Sequence, residues 1–239
     1  MKTKKDKELS FDYQKSLKNR NINRIDKFIA IEKYVNRPMA SLVVRAVINT
    51  RITPNGLTYA NFFLGLLAAY LLSIGEYLYL VLGGILTQVS SVVDCADGML
   101  ARAKNMCSDY GAHLDVFLDR ITDFCLIVGM AFGLYTTSSN INILIIGLIG
   151  AGLLTLQANL FYLTKRYLNN MQTGETGEAR ALMLLLIMIF SIFNILEIGI
   201  YMLLVEAIFV NLARLSIFIR LGNRKEIHIE TNIGPELEA

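Results

Sequence analysis

The chain has 239 residues, 54% of them hydrophobic and 18% charged, with a net charge of +3 and a mean hydropathy of +0.47. A soluble domain needs more polar surface than this, so an ordinary soluble enzyme is excluded, and the charge balance offers no nucleic-acid footprint. The apolar residues fall in blocks near the roughly 20 residues a helix needs to cross a bilayer core. The expected fold class is therefore an all-α integral membrane protein.

In chain order, residues 1–20 are a charged arm. From Asn21 to Val35, Ile22, Ile25 and Ile29 share one helical face with Phe28 beside them, and Arg24, Lys27 and Lys33 supply cations. This pattern predicts a short interfacial amphipathic helix on an anionic bilayer surface. Pro38 and Pro54 punctuate the next stretch; in 52-ITPNGLT-58, Pro54-Asn55-Gly56 reads as a turn and Thr58 as a helix cap. Six transmembrane helices are then expected, near 57–75, 77–97, 113–135, 142–163, 180–196 and 198–220. The last two are divided only by Asn194 and Glu197, which leaves five as the alternative count. The expected organisation is a basic arm with its interfacial helix over 1–51, a six-helix membrane domain over 52–221, and a polar tail over 222–239. No internal repeat is visible, so an inverted-repeat transporter plan has no support.

Charge placement orients the helices. Thirteen of the 23 Lys and Arg precede residue 52. Arg102 and Lys104, then Lys165, Arg166 and Arg180, then Arg220, Arg224 and Lys225 mark one side, while the loops near Glu76, 136–142 and Glu197 carry neither Lys nor Arg. The positive-inside rule puts both termini in the cytoplasm, in a multi-pass cytoplasmic-membrane protein. No cleavable leader is expected, because the first 38 residues lack an apolar core segment. Cys95, Cys107 and Cys125 have no CxxC spacing and read as small buried side chains rather than zinc ligands.

The chemistry concentrates in 93-VDCADGMLARAKNMCSDYGAHLDVFLDR-120. Asp94 and Asp97 are three apart at the end of the second expected helix; Asp115 and Asp119 are four apart near the start of the third. Each spacing puts both carboxylates on one helical face. The connection is short, so the helices should be antiparallel neighbours with four converging carboxylates. Converging anions repel, and a divalent cation with a preference for oxygen resolves the conflict: Mg²⁺, Mn²⁺ or Ca²⁺ rather than zinc. Paired divalent ions are a common device of phosphoryl chemistry. Gly98 and Gly111 allow a close approach, and Arg102 can neutralise a phosphate. Asp109 reads as a cap, Asp123 as a partner of Arg120, and His113 as a weak candidate base. A divalent-cation transporter is the non-enzyme alternative, but it should place its acids at the midplane or in a pore ring.

The pattern Asp94-x-x-Asp97-Gly98-x-x-Ala101-Arg102, eight residues, Gly111-x-x-x-Asp115-x-x-x-Asp119 resembles the signature of the CDP-alcohol phosphotransferase family at every fixed position. The resemblance implies an enzyme that displaces CMP from a CDP-alcohol with the hydroxyl of a second alcohol. It implies two divalent ions, Mg²⁺ or Mn²⁺, held by Asp94, Asp97, Asp115 and Asp119, with Asp119 also the general base. It implies nucleotide binding by Asp97, Gly98, Ala101, Arg102 and Gly111, with Asn55 and Thr58 from the segment that precedes the family's first helix. It also implies a homodimer and an active site on the cytoplasmic side.

The acceptor is less marked. The stretches 90-SSVVDCADG-98 and 108-SDYGAHLDVFLDR-120 are similar to the inositol-phosphate branch, including di-inositol-phosphate phosphate synthases, although Met99 stands where several of those relatives carry an acid. Lys165, Arg180 and Arg214 come from three expected helices and would bind a phosphorylated acceptor, Arg214 because an intramembrane guanidinium requires a partner. The expectation is CDP-diacylglycerol as donor and inositol 1-phosphate as acceptor. Glycerol 3-phosphate, serine, or a soluble CDP-inositol donor are the alternatives.

Overall fold

The computed structural model describes residues 32–167 and 177–233, and among them every regular element is helical. A π-helical turn over Glu32–Asn36 leads directly into α1 (Arg37–Val47). Next come α2 (Pro54–Ile74), α3 (Tyr77–Lys104), α4 (Asp109–Ser138), α5 (Ile141–Tyr167), α6 (Gly177–Ile192) and α7 (Leu196–Ile233). Each of the six apolar segments read from the sequence coincides with one helix from α2 to α7. Among the described residues, three are long and apolar enough to cross a membrane: Pro54–Ile74, Tyr77–Lys104 and the Leu196–Ile219 part of α7. The described parts of α5 and α6, Ile141–Gln157 and Arg180–Ile192, are apolar as well. The helices α3 and α4 run past their apolar stretches, so that only residues 105–108 separate them.

The amphipathic helix expected over Asn21 to Val35 lies outside the described residues, apart from its last positions in the π-helical turn. The helix that does precede α2 is α1, which was not expected because Pro38 reads as a breaker. In the first helical turn proline does no harm: its missing N–H has no intrahelical acceptor there and its fixed φ is already helical. Pro54 opens α2 in the same way, so the expected turn at 54–56 is the first turn of a helix. Its cap is Thr53, whose Oγ1 accepts from the Gly56 N–H at 3.1 Å, and not Thr58.

Two helix ends settle where the chain turns. Asn105 takes a left-handed φ of 55°, with the Met106 N–H bonded to the Ala101 carbonyl and its own N–H to Arg102. Asn194 repeats this with Ile195 to Phe190 and Asn194 to Ser191. Both are Schellman closures, which asparagine tolerates better than most side-chain-bearing residues. Asn194 therefore divides α6 from α7, three residues before the boundary expected at Glu197.

The described residues form two compact units. The first takes those within Met1–Gly65, Ile85–Asp119 and Thr176–Met188. Its core joins Ala40 and Val44 of α1 to Leu57 of α2 and to Val92, Ala96 and Leu100 of α3. A buried polar chain adds to it: Gln88 Nε2 donates to Asn36 Oδ1, and Asn36 Nδ2 to Ser91 Oγ, both at 2.8 Å. The carboxamide of Asn36 thereby ties the start of α1 to α3.

The second unit takes Leu66–Gly84, Arg120–Glu175 and Ile189–Ala239. Here α5 packs against α7, and the C-terminal part of α2 lies against α4 with little between the backbones. A Cβ on Gly129 would sit 2.4 Å from the Ala69 carbonyl oxygen, and one on Gly133 would sit 2.1 Å from that of Leu72. This Gly-x-x-x-Gly spacing presents a side-chain-free groove once per turn, which suits helix association where lipid removes the hydrophobic drive. We predict that Gly133→Leu lowers unfolding stability by about 1–3 kcal/mol or more, through overpacking against an unyielding backbone. Thermal unfolding in detergent measures it, and Gly150→Leu is the control, since nothing lies within 4 Å of a Cβ there.

Candidate active site

The site in the first unit is built from α2, α3, the start of α4 and the start of α6. The helices α2 and α3 run antiparallel in a fixed register. The Thr58 hydroxyl donates to Asp97 Oδ2 at 2.7 Å, and one turn on, Asn61 Nδ2 donates to Asp94 Oδ1 at 3.1 Å. Ser108 caps α4 by accepting from the Gly111 N–H at 3.0 Å. Asp109 is thus the first residue after the cap, where its charge suits the helix dipole, rather than the cap itself. Lys104 Nζ donates to the Thr50 and Ile52 carbonyls at 2.9 and 2.7 Å, which secures the segment leading into α2.

Carboxylate oxygens of Asp94, Asp115 and Asp119 all lie within 4.8 Å of one another. Asp97, one turn along α3 from Asp94, is held by the Thr58 hydroxyl, and its carboxylate still feels the charges of Asp115 and Asp94. The Arg180 guanidinium, on the first turn of α6, bridges the cluster: Nη1 lies 3.2 Å from Asp94 Oδ2 and Nη2 lies 3.0 Å from Asp119 Oδ1. Arg180 projects from the same face of α6 as the buried Leu184 and Ile187, so packing of that face aims it. Without a cation among them, three carboxylates removed from most of the solvent would repel strongly.

Beside the cluster is a cavity of about 250 Å³. All seven residues expected at the nucleotide site line it: Asn55, Thr58, Asp97, Gly98, Ala101, Arg102 and Gly111. Asp115 lines it too, so the cavity reaches the carboxylates. Gly111 is small for a reason internal to the protein, since a Cβ there would lie 3.0 Å from Asn55 Oδ1. At Gly98 a Cβ would meet the Arg102 guanidinium at 3.5 Å, an ordinary contact.

Sequence reasoning missed Asn61, Ser108 and Cys107 at this site. Cys107 is exposed and lines the cavity, which corrects its reading as a small buried side chain; Cys95 and Cys125 are half-buried. His113 is exposed and does not line the cavity. In the second unit Arg120 Nη1 lies 3.5 Å from Asp123 Oδ2, the structural pair that the sequence suggested.

The cations expected to hold an acceptor phosphate fare differently. Arg180 is in the first unit, on the carboxylates. Arg214 is in the second, where Nη1 donates to the Gln157 carbonyl at 2.7 Å. The main chain of α5 thus supplies Arg214 with one partner within the protein. The side chain of Lys165 lies outside the described residues.

An all-helical fold with carboxylates from two antiparallel helices beside a glycine-lined cavity defines a membrane enzyme site suited to phosphate chemistry. The CDP-alcohol phosphatidyltransferase family model matches residues 51–213, and the chain belongs to that family. Over 104 residues it is 36% identical to a bifunctional IPC transferase and DIPP synthase of Aquifex aeolicus, covering 44% of this chain and 23% of that protein. Over 82 residues it is 39% identical to the archaetidylinositol phosphate synthase of Pyrococcus horikoshii, covering 34% of this chain and 42% of that one. The chain thus spans less than half the length of these curated relatives. The fold is similar to that of Mycobacterium tuberculosis phosphatidylinositol phosphate synthase crystallised with CDP-DAG bound. That match has a TM-score of 0.60 at 20% identity and covers 75% of this chain and 92% of that one.

The family uses divalent metal ions, and the donor set here fits them. The cluster offers only carboxylate oxygens, drawn from two helices and close enough to share a cation, with no thiolate or imidazole among them. We predict that Arg180→Gln destabilises the chelator-treated protein by about 1–3 kcal/mol, because it leaves half-buried carboxylates facing one another uncompensated. Thermal unfolding in EDTA measures this; an unchanged midpoint would show that Arg180 does not neutralise the cluster.

Proposed function

We propose that the chain transfers a phosphoalcohol group from a CDP-alcohol to the hydroxyl of an acceptor alcohol and releases CMP. The observation that carries this reading is the adjacency, within one compact unit, of the three-carboxylate cluster and the cavity lined by Gly98, Ala101, Arg102 and Gly111. A cation transporter would have no use for that cavity. Asp94, Asp97, Asp115 and Asp119 are the proposed ligands of two divalent ions, Mg²⁺ or Mn²⁺. Bound there, the ions would act as Lewis acids on the diphosphate oxygens.

The protein's own groups divide the remaining work. The small residues Gly98, Ala101 and Gly111 leave room for the nucleotide against the α3 and α4 backbones, and Arg102 faces its phosphates. Thr58 keeps Asp97 turned to the cavity. Asp119 takes the proton from the acceptor hydroxyl, whose oxygen forms a bond to the β-phosphorus as the bond from that phosphorus to the bridging oxygen breaks. Arg180, already against Asp94 and Asp119, is the cation placed to meet an acceptor phosphate. Lys165 and Arg214 remain the further cations proposed for that phosphate.

The donor we propose is CDP-diacylglycerol, and the acceptor inositol 1-phosphate. Support comes from the names of the relatives, an archaetidylinositol phosphate synthase among them, and from CDP-DAG in the similar fold. A soluble CDP-inositol donor is the second reading, favoured by the matches to bifunctional proteins with DIPP synthase activity. We further propose six membrane crossings with both termini and the site in the cytoplasm, residues 52–221 as the membrane domain, and a homodimer.

Release of radiolabelled CMP from the purified chain tests the reaction. We expect release from CDP-diacylglycerol with inositol 1-phosphate, less with glycerol 3-phosphate or serine, and none in EDTA. Asp119→Asn should lower turnover by roughly 10²–10⁴-fold while CMP still binds by calorimetry. No CMP release with any donor or acceptor would overturn the proposal.

A further inference from the structure

Asn61 has no place in the expected site and does not line the cavity, yet it is only 2% exposed and touches the cluster directly. Its Nδ2 donates to Asp94 Oδ1 at 3.1 Å. Its Oδ1 accepts from the hydroxyl of Ser90, which is buried on α3 one turn before Asp94. Asp94 and Ser90 fix the carboxamide together. The carboxylate only accepts and so takes the NH₂, and the Ser90 hydroxyl, which can donate or accept, donates to Oδ1 and holds the amide in that orientation. The opposite rotamer would aim a carbonyl dipole at an anion.

The two oxygens of Asp94 are thereby given different surroundings. Oδ1 is anchored to α2, and Oδ2 faces the cation side, 3.2 Å from Arg180 Nη1. We infer that Asn61, oriented by Ser90, is a positioning residue that presents Asp94 to a divalent cation. The inference rests on the proposed metal role of the cluster. A neutral amide suits the task, because it fixes the carboxylate without neutralising the charge that the cation needs. A lysine or arginine at this position would compete with the cation. The arrangement also results from register: along antiparallel α2 and α3, the pair Thr58 and Asn61 faces Asp97 and Asp94, one contact per turn. Holding Asp94 in one rotamer beforehand removes an ordering cost from cation capture, the usual effect of outer hydrogen bonds on metal ligands.

The test is Mn²⁺ titration of the full chain in detergent, by calorimetry and by the EPR signal of free Mn²⁺. Asn61→Leu should raise the Mn²⁺ Kd by roughly 10–100-fold. Ser90→Ala should shift it in the same direction by a smaller factor, and Ser90→Thr, which keeps the hydroxyl, should restore it. A role in packing alone would lower the thermal midpoint without this hydroxyl-dependent pattern in Kd. If Asn61→Leu does not fold, the Ser90 pair decides, and a wild-type Kd in Ser90→Ala overturns the inference. Wild-type protein that binds Mn²⁺ beside a folded Asn61→Leu of equal affinity also overturns it, while leaving the metal reading intact. Wild-type protein that takes up no Mn²⁺ overturns both.

Discussion

Mutual repulsion of carboxylates is the constraint around which the first unit is arranged. Asp94, Asp115 and Asp119 bring oxygens within 4.8 Å of one another, and Asp119 is buried. Apolar helices have no reason to hold such a group together, and their own packing is too weakly directional to specify it. What holds it is a set of donors: Thr58 on Asp97, Asn61 on Asp94, and Arg180 across Asp94 and Asp119. Each comes from a helix other than the one carrying the acid it serves, so the site and the helix arrangement stabilise each other.

The helix α2 is accordingly more than a membrane element. Its Thr53 cap and the Lys104 grip on the preceding carbonyls set where it begins. The cap then sets its phase, and the phase puts Asn55, Thr58 and Asn61 along one face, three residues apart. The core of Val44, Leu57, Ala96 and Leu100 presses that face to α3. A change in the length of the segment before Pro54 would rotate these residues relative to the acids, even though none of them is charged.

The second unit solves a different problem. Helices that face lipid gain little from burying apolar surface, so close backbone approach and polar contacts must supply the attraction. The Gly129 and Gly133 groove does the first between α4 and α2. Asn211 and Arg214 do the second, each donating to a main-chain carbonyl of α5 from within an apolar helix. An intramembrane arginine is a reasonable candidate for function, but here it also serves as a helix-to-helix tie.

What the sequence alone determined is local in origin. Apolar block lengths located all six helices from α2 to α7, and spacings of three and four placed each aspartate pair on one face. The acids, glycines and arginine at fixed intervals carried the family resemblance, because one helix or one short loop contains all of each interval. The division at Asn194 was half legible, since a lone polar residue in an apolar run is ambiguous until its left-handed φ ends the helix. Only the tertiary structure decided the rest. Pro38 and Thr58 misled because their roles depend on helix phase and on neighbours. Asp97 is tied to α2 because Thr58, 39 residues earlier, donates its hydroxyl to it. Arg180 reaches the acids from a different helix, and Arg214 finds a carbonyl of α5, 57 residues away. Asn61 is an ordinary amide in the sequence; its significance comes from the antiparallel register with α3, a relation between segments that no local pattern encodes.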